Sequence, residues 1–231
     1  MANTNRSIQQ IIQEQVNKWE LACKLSAGKS RQEYDPVITI SRLPGCNTVD
    51  IARKLSEKLG FDVFDKNLLD MVAANAQLST SVMASLDERE VSIAEELVKS
   101  LVDNRYYSAD KFFHHLLLVI AAIAQHGRSI IVGRGAGFII PATQNLRVSI
   151  IAPQDTRVDN VVHKYGVSCD EARRRVIQRE SDRKAYIRKH FNADMDDPLR
   201  YDLTINLANQ STDAVAETII AAWKAKKAQA Q

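Results

Sequence analysis

No two cysteines in this chain lie close enough to suggest a pair. Cys23, Cys46 and Cys169 are the only three, with no C-x-x-C spacing and no histidine cluster. Neither a disulfide framework nor a zinc site is expected, and a reducing cytoplasm suits the composition best. Long apolar runs are also missing. Gln9, Gln10, Gln13, Glu14, Gln15 and Lys18 interrupt the first thirty residues, so neither a signal peptide nor a membrane span is expected there. Leu116–Ala124 is apolar but too short to cross a bilayer. Nor is one sign of charge in large excess: 31 Lys+Arg against 28 Asp+Glu gives +3. The imbalance is local, because Glu171–His190 holds eight Lys/Arg against three acidic residues. The remainder is about neutral to acidic, which argues against a general nucleic-acid or membrane surface and for one local anion site.

What the chain does have is length for one sizeable α/β domain, at 231 residues. Ile8, Ile12, Val16, Trp19 and Cys23 recur at helical spacing, predicting an amphipathic helix over residues 5–26 that packs on the core or serves a partner or dimer contact. Residues 27–36 read as a polar linker. The string Gly28-Lys29-Ser30 within it is no phosphate loop, since no buried strand precedes it. "VITIS", Val37–Ser41, is β-branched and bounded by Pro36 and by Pro44-Gly45, as a buried strand would be. A helix follows over 48–59, with Gly60 at its left-handed end, and then "FDVFD" as a second strand. Residues 66–128 are almost wholly helical in pattern. "SIIVG", "LRVSIIA" and "DLTIN" supply three more strands separated by helices, so the alternation predicts a five-stranded parallel sheet covered on both faces. The organisation expected is an N-terminal helix and linker over 1–36 and an α/β domain over 37–231, carrying a helical insert at 66–128 and a basic segment at 171–192.

In such a sheet the ligand site lies at the carboxyl ends of the strands. After the first strand stands Ser41-Arg42-Leu43-Pro44-Gly45-Cys46-Asn47-Thr48, a turn into a helix N-terminus, which is the backbone geometry that holds phosphate. The G-x-x-x-x-G-K-[ST] pattern is absent: counted from Arg42, Asn47, Thr48 and Val49 stand where the second glycine, the lysine and the hydroxyl would be. Thr48 or Asp50 is the candidate metal ligand, and Arg42 the candidate substitute cation; an ordinary strand-to-helix turn is the plain alternative. After the third strand, "GRGAG" holds three of the eight glycines and puts Arg134 between Gly133 and Gly135. This suits a clamp for phosphate or carboxylate, or else glycines used for tight packing. A dinucleotide fingerprint is the weaker reading, because Phe138 replaces its third glycine. Asp65, after the second strand, would either accept a substrate hydroxyl or cap the next helix; Arg53 and Lys54 face the same region. Arg175, Arg179 and Arg183 recur at i, i+4 and i+8, and Glu180 can pair with Lys184. The cations still outnumber their partners, as a lid around a transferring phosphoryl group requires.

Taken in order, "PVITISRLPGCNTVDIARKLSEKLGFDVFDKNLL", "GRSIIVGRGAGFIIP", "EARRRVIQRESDRKAYIRKHF" and "DPLRYDLTINLANQSTDAVAETI" resemble the cytidylate kinase-like family, over about Val37–Ile220. The resemblance implies a three-layer α/β/α P-loop kinase-like fold, ATP with Mg2+ as phosphoryl donor, and a nucleoside monophosphate, nominally CMP, as acceptor. By position it implies that Gly45–Thr48 hold donor phosphates, with Ser41 and Arg42 as further candidates from the same turn. It implies that Asp65 and Arg134 face the acceptor, that Arg179, Arg183 and Arg188 form the lid, and that Asn206–Ser211 lie beside the donor base; Gly133, Gly135 and Arg53 are further candidates for the acceptor side. Family members commonly carry a "PGSGG"-like loop where this chain has "PGCNT". The expectation is therefore a cytoplasmic nucleotide kinase, with a catalytically weak or inactive nucleotide-binding regulator as the alternative. A small-molecule nucleotide is the expected partner, without nucleic acid or membrane.

Overall fold

A computed structural model describes residues 8–26, 35–103 and 110–229. The expected linker therefore falls largely outside the described residues, as do positions 5–7 of the first helix and the side chain of Cys23. In chain order the elements are α1 Ile8–Ser26, β1 Val37–Arg42, α2 Val49–Leu59, β2 Asp62–Phe64 and α3 Lys66–Ala74. Next come α4 Ala76–Ala84, α5 Glu88–Asp103, α6 Lys111–His126, β3 Ser129–Val132, α7 Ala136–Ile139 and β4 Asn145–Ile151. The chain finishes with α8 Gln154–Tyr165, α9 Cys169–Phe191, β5 Leu203–Asn206 and α10 Thr212–Gln229. They form two compact units. One gathers the described residues up to Asp35 with Phe64–Ser129; the other gathers Pro36–Val63 and everything from Ile130 onward.

The second unit is built on the predicted five-stranded parallel sheet, in the order β2-β3-β1-β4-β5. Continuous apolar strands suit a parallel sheet because both faces are covered, and Val37 and Ile38 of β1 are fully buried. In register, Ile38 sits beside Ile130 and Leu146, and Ile40 beside Val132 and Val148. Because successive side chains alternate in facing, these residues share one sheet face. With Ile150 and Ile205 they close a core against Ile51 and Leu55 of α2 and Val215, Ile219 and Trp223 of α10. Each fully buried Ile or Leu contributes about 1.5–3 kcal/mol relative to exposure. α2 ends on Gly60, whose φ of 67° and N–H bond to the Ser56 carbonyl make the left-handed stop expected from sequence. The other sheet face is more polar towards its carboxyl edge: Ser41, Ser149 and Thr204 are consecutive partners across β1, β4 and β5.

The first unit centres on α6. Leu116–Ala124 is apolar on every side, and all but Leu118 of that stretch are buried, so it is a core helix surrounded by others. It packs against α3, α4 and α5. α1 contacts α3 and α4 and buries the side chains of Ile12, Val16 and Trp19. Trp19 stacks on His126 with ring centroids 4.0 Å apart. Local chemistry starts these helices: Asp65, Asn75 and Asp110 cap α3, α4 and α6, while Asp87 and Glu90 exchange bonds as a capping box before α5. No helix among the described residues is long and apolar enough to cross a membrane.

Candidate functional site

The turn after β1 begins as ordinary backbone. Leu43 N–H donates to Ile150, Cys46 N–H to Leu43, and Gly45 takes φ +88°. Gly45 must be glycine for space as well as for conformation, because a Cβ there would lie 2.5 Å from the Arg157 carbonyl oxygen. Cys46 turns inward and joins the core. Burial pushes its thiol up to about 11, although the guanidiniums of Arg157, Arg183 and Arg42 pull the other way. It is therefore a neutral thiol rather than a nucleophile. Asn47 is exposed and donates to Asp50 over 3.3 Å. Thr48 is buried, and its side chain makes no capping bond to α2. The first N–H groups of α2 thus have no side-chain cap, at the end of the helix where the backbone dipole favours an anion.

Around this turn the structure gathers guanidiniums. Arg183, on α9, donates from Nη1 to the Arg42 main-chain carbonyl. Burial, with the charges of Arg42 and Arg179, pulls Arg183 down to about 10. A guanidinium stays protonated even so, so a partly desolvated charge is held beside two others of its own sign. The neighbouring carboxylates are engaged elsewhere: Glu180 with Arg157 and Lys184, each at 2.9 Å, and Asp182 with Gln178. Neither Arg179 nor Arg183 has an ion pair among the described residues. Arg157 itself is only 6 % exposed. Beside the turn, at the carboxyl ends of β1, β4 and β5, lies a cavity of about 460 Å³, lined in part by Ser41, Arg42, Ser149, Glu180, Tyr201 and Asn206. A parallel sheet with an uncapped helix and uncompensated arginines at its carboxyl edge is an anion site in form.

The model of the family described as "Cytidylate kinase-like family" matches residues 37–209 of this chain. The chain belongs to the cytidylate kinase-like family. Among its relatives, a cytidylate kinase of Methanopyrus kandleri is 26% identical over 80% of this chain and 92% of its own length. One of Pyrococcus horikoshii is 28% identical over 80% and 87%. A crystal structure of an uncharacterized protein from Eubacterium ventriosum shares the fold, with a TM-score of 0.57 at 20% identity over 82% of this chain and 98% of that one.

Within this cytidylate kinase-like chain, Arg42 and Arg183 are brought together beside the turn from Gly45 to Thr48, whereas Arg179 is exposed on α9, one helical turn from Arg183. Arg188 is exposed on α9, and Arg53 is engaged with Glu57 at 2.7 Å and Asp50 at 3.8 Å on the exposed side of α2. Asp65, in the other compact unit, accepts from Leu68 N–H as the cap of α3. Arg134 leaves β3 at φ +54° with its guanidinium 5.8 Å from the Tyr186 ring centre. The glycines around it make room for neighbours. A Cβ on Gly133 would come within 3.4 Å of Arg42 Nη1, one on Gly135 would meet Phe191 at 2.4 Å, and one on Gly137 would crowd Thr39. For a divalent cation, the Thr48 hydroxyl and Asp50 carboxylate are oxygen donors of the right kind for Mg2+. Among the described residues no group of three or more His, Cys, Asp or Glu gathers as a metal cage. Thr48 is buried and Asp50 is engaged by Asn47 and Arg53, so an ion here would be held mainly by phosphate and water.

The sequence reading did not single out Arg157, Asn160 or Tyr201. Tyr201 donates to the Met195 carbonyl at 2.8 Å, with its hydroxyl 3.4 Å from Ser41 Oγ. A signal for Arg157 existed: with Val158 and Val161 it occupies the buried stripe of α8, where helical period calls for an apolar side chain.

Proposed function

We propose that this chain is an ATP-dependent kinase acting on a nucleoside monophosphate, CMP being the first acceptor to test. Membership of the cytidylate kinase-like family makes phosphoryl transfer the natural reaction class. The single observation that carries the reading is Arg183, half-buried beside Arg42 and the turn into the uncapped α2, with no ion pair among the described residues. In this reading the α2 amides and Arg42 hold donor phosphates. Arg179 and Arg183 neutralise charge on the moving phosphoryl group, and Arg134 faces the acceptor. Thr48 and Asp50 would hold Mg2+, which would supply positive charge to the donor phosphates. The acceptor phosphate is already a competent nucleophile, so alignment and charge neutralisation supply most of the acceleration. Asn206, at the edge of the cavity, would lie beside the donor base.

Calorimetry with ATP and Mg2+, followed by a coupled assay over the nucleoside monophosphates, tests this. ATP binding with turnover on at least one acceptor supports it, and absence of ATP binding overturns it. One observation favours a second reading, a nucleotide-binding regulator: the turn carries Asn47 and Thr48 side chains where backbone must approach phosphate, and Thr48 is buried. ATP binding without turnover on any acceptor would select that reading.

A further inference from the structure

Arg157 is the most deeply buried guanidinium bordering the turn, and all its described bonds point at one task. Nε donates to the Ala152 carbonyl at 3.0 Å. Nη1 donates to the Pro44 carbonyl at 3.2 Å and to Glu180 Oε2 at 2.9 Å. Three residues on, and hence on the same side of α8, Asn160 Nδ2 donates to the Gly45 carbonyl at 2.9 Å. Two successive carbonyls of the turn are thus drawn toward α8. A trans peptide directs its N–H opposite its C=O, so drawing the Pro44 carbonyl one way points the Gly45 N–H the other way. Gly45 permits this contact because it has no Cβ to strike Arg157. With Asn47 and Thr48 in place of flexible residues, the path of the turn is set from outside, by α8.

The far end of the same network lies on α9. Glu180 follows Arg179 directly and precedes Arg183 by three residues, so the bond that neutralises Arg157 also fixes the rotation of the helix carrying both arginines. Burial pushes the Glu180 carboxyl up, but hydrogen bonds from Lys184 and Arg157 prevail and hold it below the usual range. It is therefore ionised when it holds Arg157. Lys184 extends the network to Asp196 at 2.7 Å.

We infer that Arg157, Asn160 and Glu180 form a relay of positioning residues that sets the direction of the turn's amides and couples them to the arginines of α9. They act through the Pro44 and Gly45 carbonyls. The kinetic half of this inference rests on the kinase reading; the structural half does not. Arg157 is too buried to be a safe first target, because its loss would strand Glu180 and two carbonyls. Glu180→Gln and Asn160→Ala are the informative variants, with Glu180→Asp as the conservative control.

Two measurements on the full chain separate the possibilities. Amide hydrogen exchange across residues 43–48 reads the relay without nucleotide: exchange about tenfold faster in Glu180→Gln and Asn160→Ala, with the thermal midpoint nearly unchanged, is the expected result. Unchanged exchange in both variants overturns the inference. Steady-state kinetics with ATP and an accepted nucleoside monophosphate reads its consequence: the KM for ATP should rise about tenfold in Glu180→Gln, while the acceptor KM holds and Glu180→Asp recovers part of the loss. An equal rise in both KM values, or none, also overturns it. If the wild-type chain binds no ATP, the kinase reading falls, and exchange alone decides the relay.

Discussion

Two half-buried bases, one in each compact unit, settle their charge in opposite ways. His126 lies under the Trp19 ring, its Nε2 bonded to Ser85 Oγ at 2.9 Å, and burial alone takes it down to about 4. It is neutral at physiological pH, and the helical unit around it is a closed core. Arg183 is also desolvated, yet near 10 it keeps its proton, with Arg42 and Arg179 beside it. A buried base that can shed its charge does so, because desolvation penalises only the charged form; a guanidinium cannot, and its field awaits an anion. Helix starts repeat the contrast. α3, α4 and α6 of the helical unit are capped by Asp65, Asn75 and Asp110, whereas α2, which leaves the carboxyl end of β1 beside Arg183, has no side-chain cap.

The contrast is broken most directly at Arg183. Arg183→Met should lower turnover by about 10³-fold, while the thermal midpoint holds or rises because a partly desolvated charge without an ion pair has gone. A large fall in midpoint with turnover intact would make Arg183 structural. His126 offers the next largest effect. Unfolded, it titrates near 6.5, and folded near 4, so between those values the unfolded chain binds more protons. Stability is complete above pH 6.5 and falls by up to about 3 kcal/mol as pH drops toward 4. Chemical denaturation across that range should show the slope, and His126→Gln should flatten it.

The caps sharpen the comparison at a smaller scale. Asn75→Ala and Asp110→Ala should each cost about 1 kcal/mol in denaturant titrations, and ATP affinity by calorimetry should not change. Asp202 gives the smallest effect. Burial pushes its carboxyl up, but hydrogen bonds from Arg147 and Lys226 hold it at about 2. The stability it confers is present above about pH 4 and lost as pH falls toward 2. Because the group is largely exposed, Asp202→Asn should cost only about 1 kcal/mol at pH 7.

The strands, their parallel arrangement and the Gly60 stop of α2 were all legible in the sequence, since each is written in residues within a few positions of one another. β-branched runs make buried strands and the 3.6-residue period makes helices, but the uncapped start of α2 was not legible, because Thr48 is a capping residue by type. The arginine count of α9 was legible too, and so was the Glu180–Lys184 pair. Which arginines converge was not. Arg183 meets a carbonyl 141 residues away in sequence, and Arg157 one 113 residues away. The use of the "GRGAG" glycines to make room for Arg42, Phe191 and Thr39 is equally non-local. Local periodicity says which side of a helix is buried but not what lies across from it. The sequence by itself determined the elements and the supply of positive charge. Only the tertiary structure decided which charges are desolvated and left uncompensated, because desolvation and compensation depend on neighbours that folding brings from elsewhere in the chain.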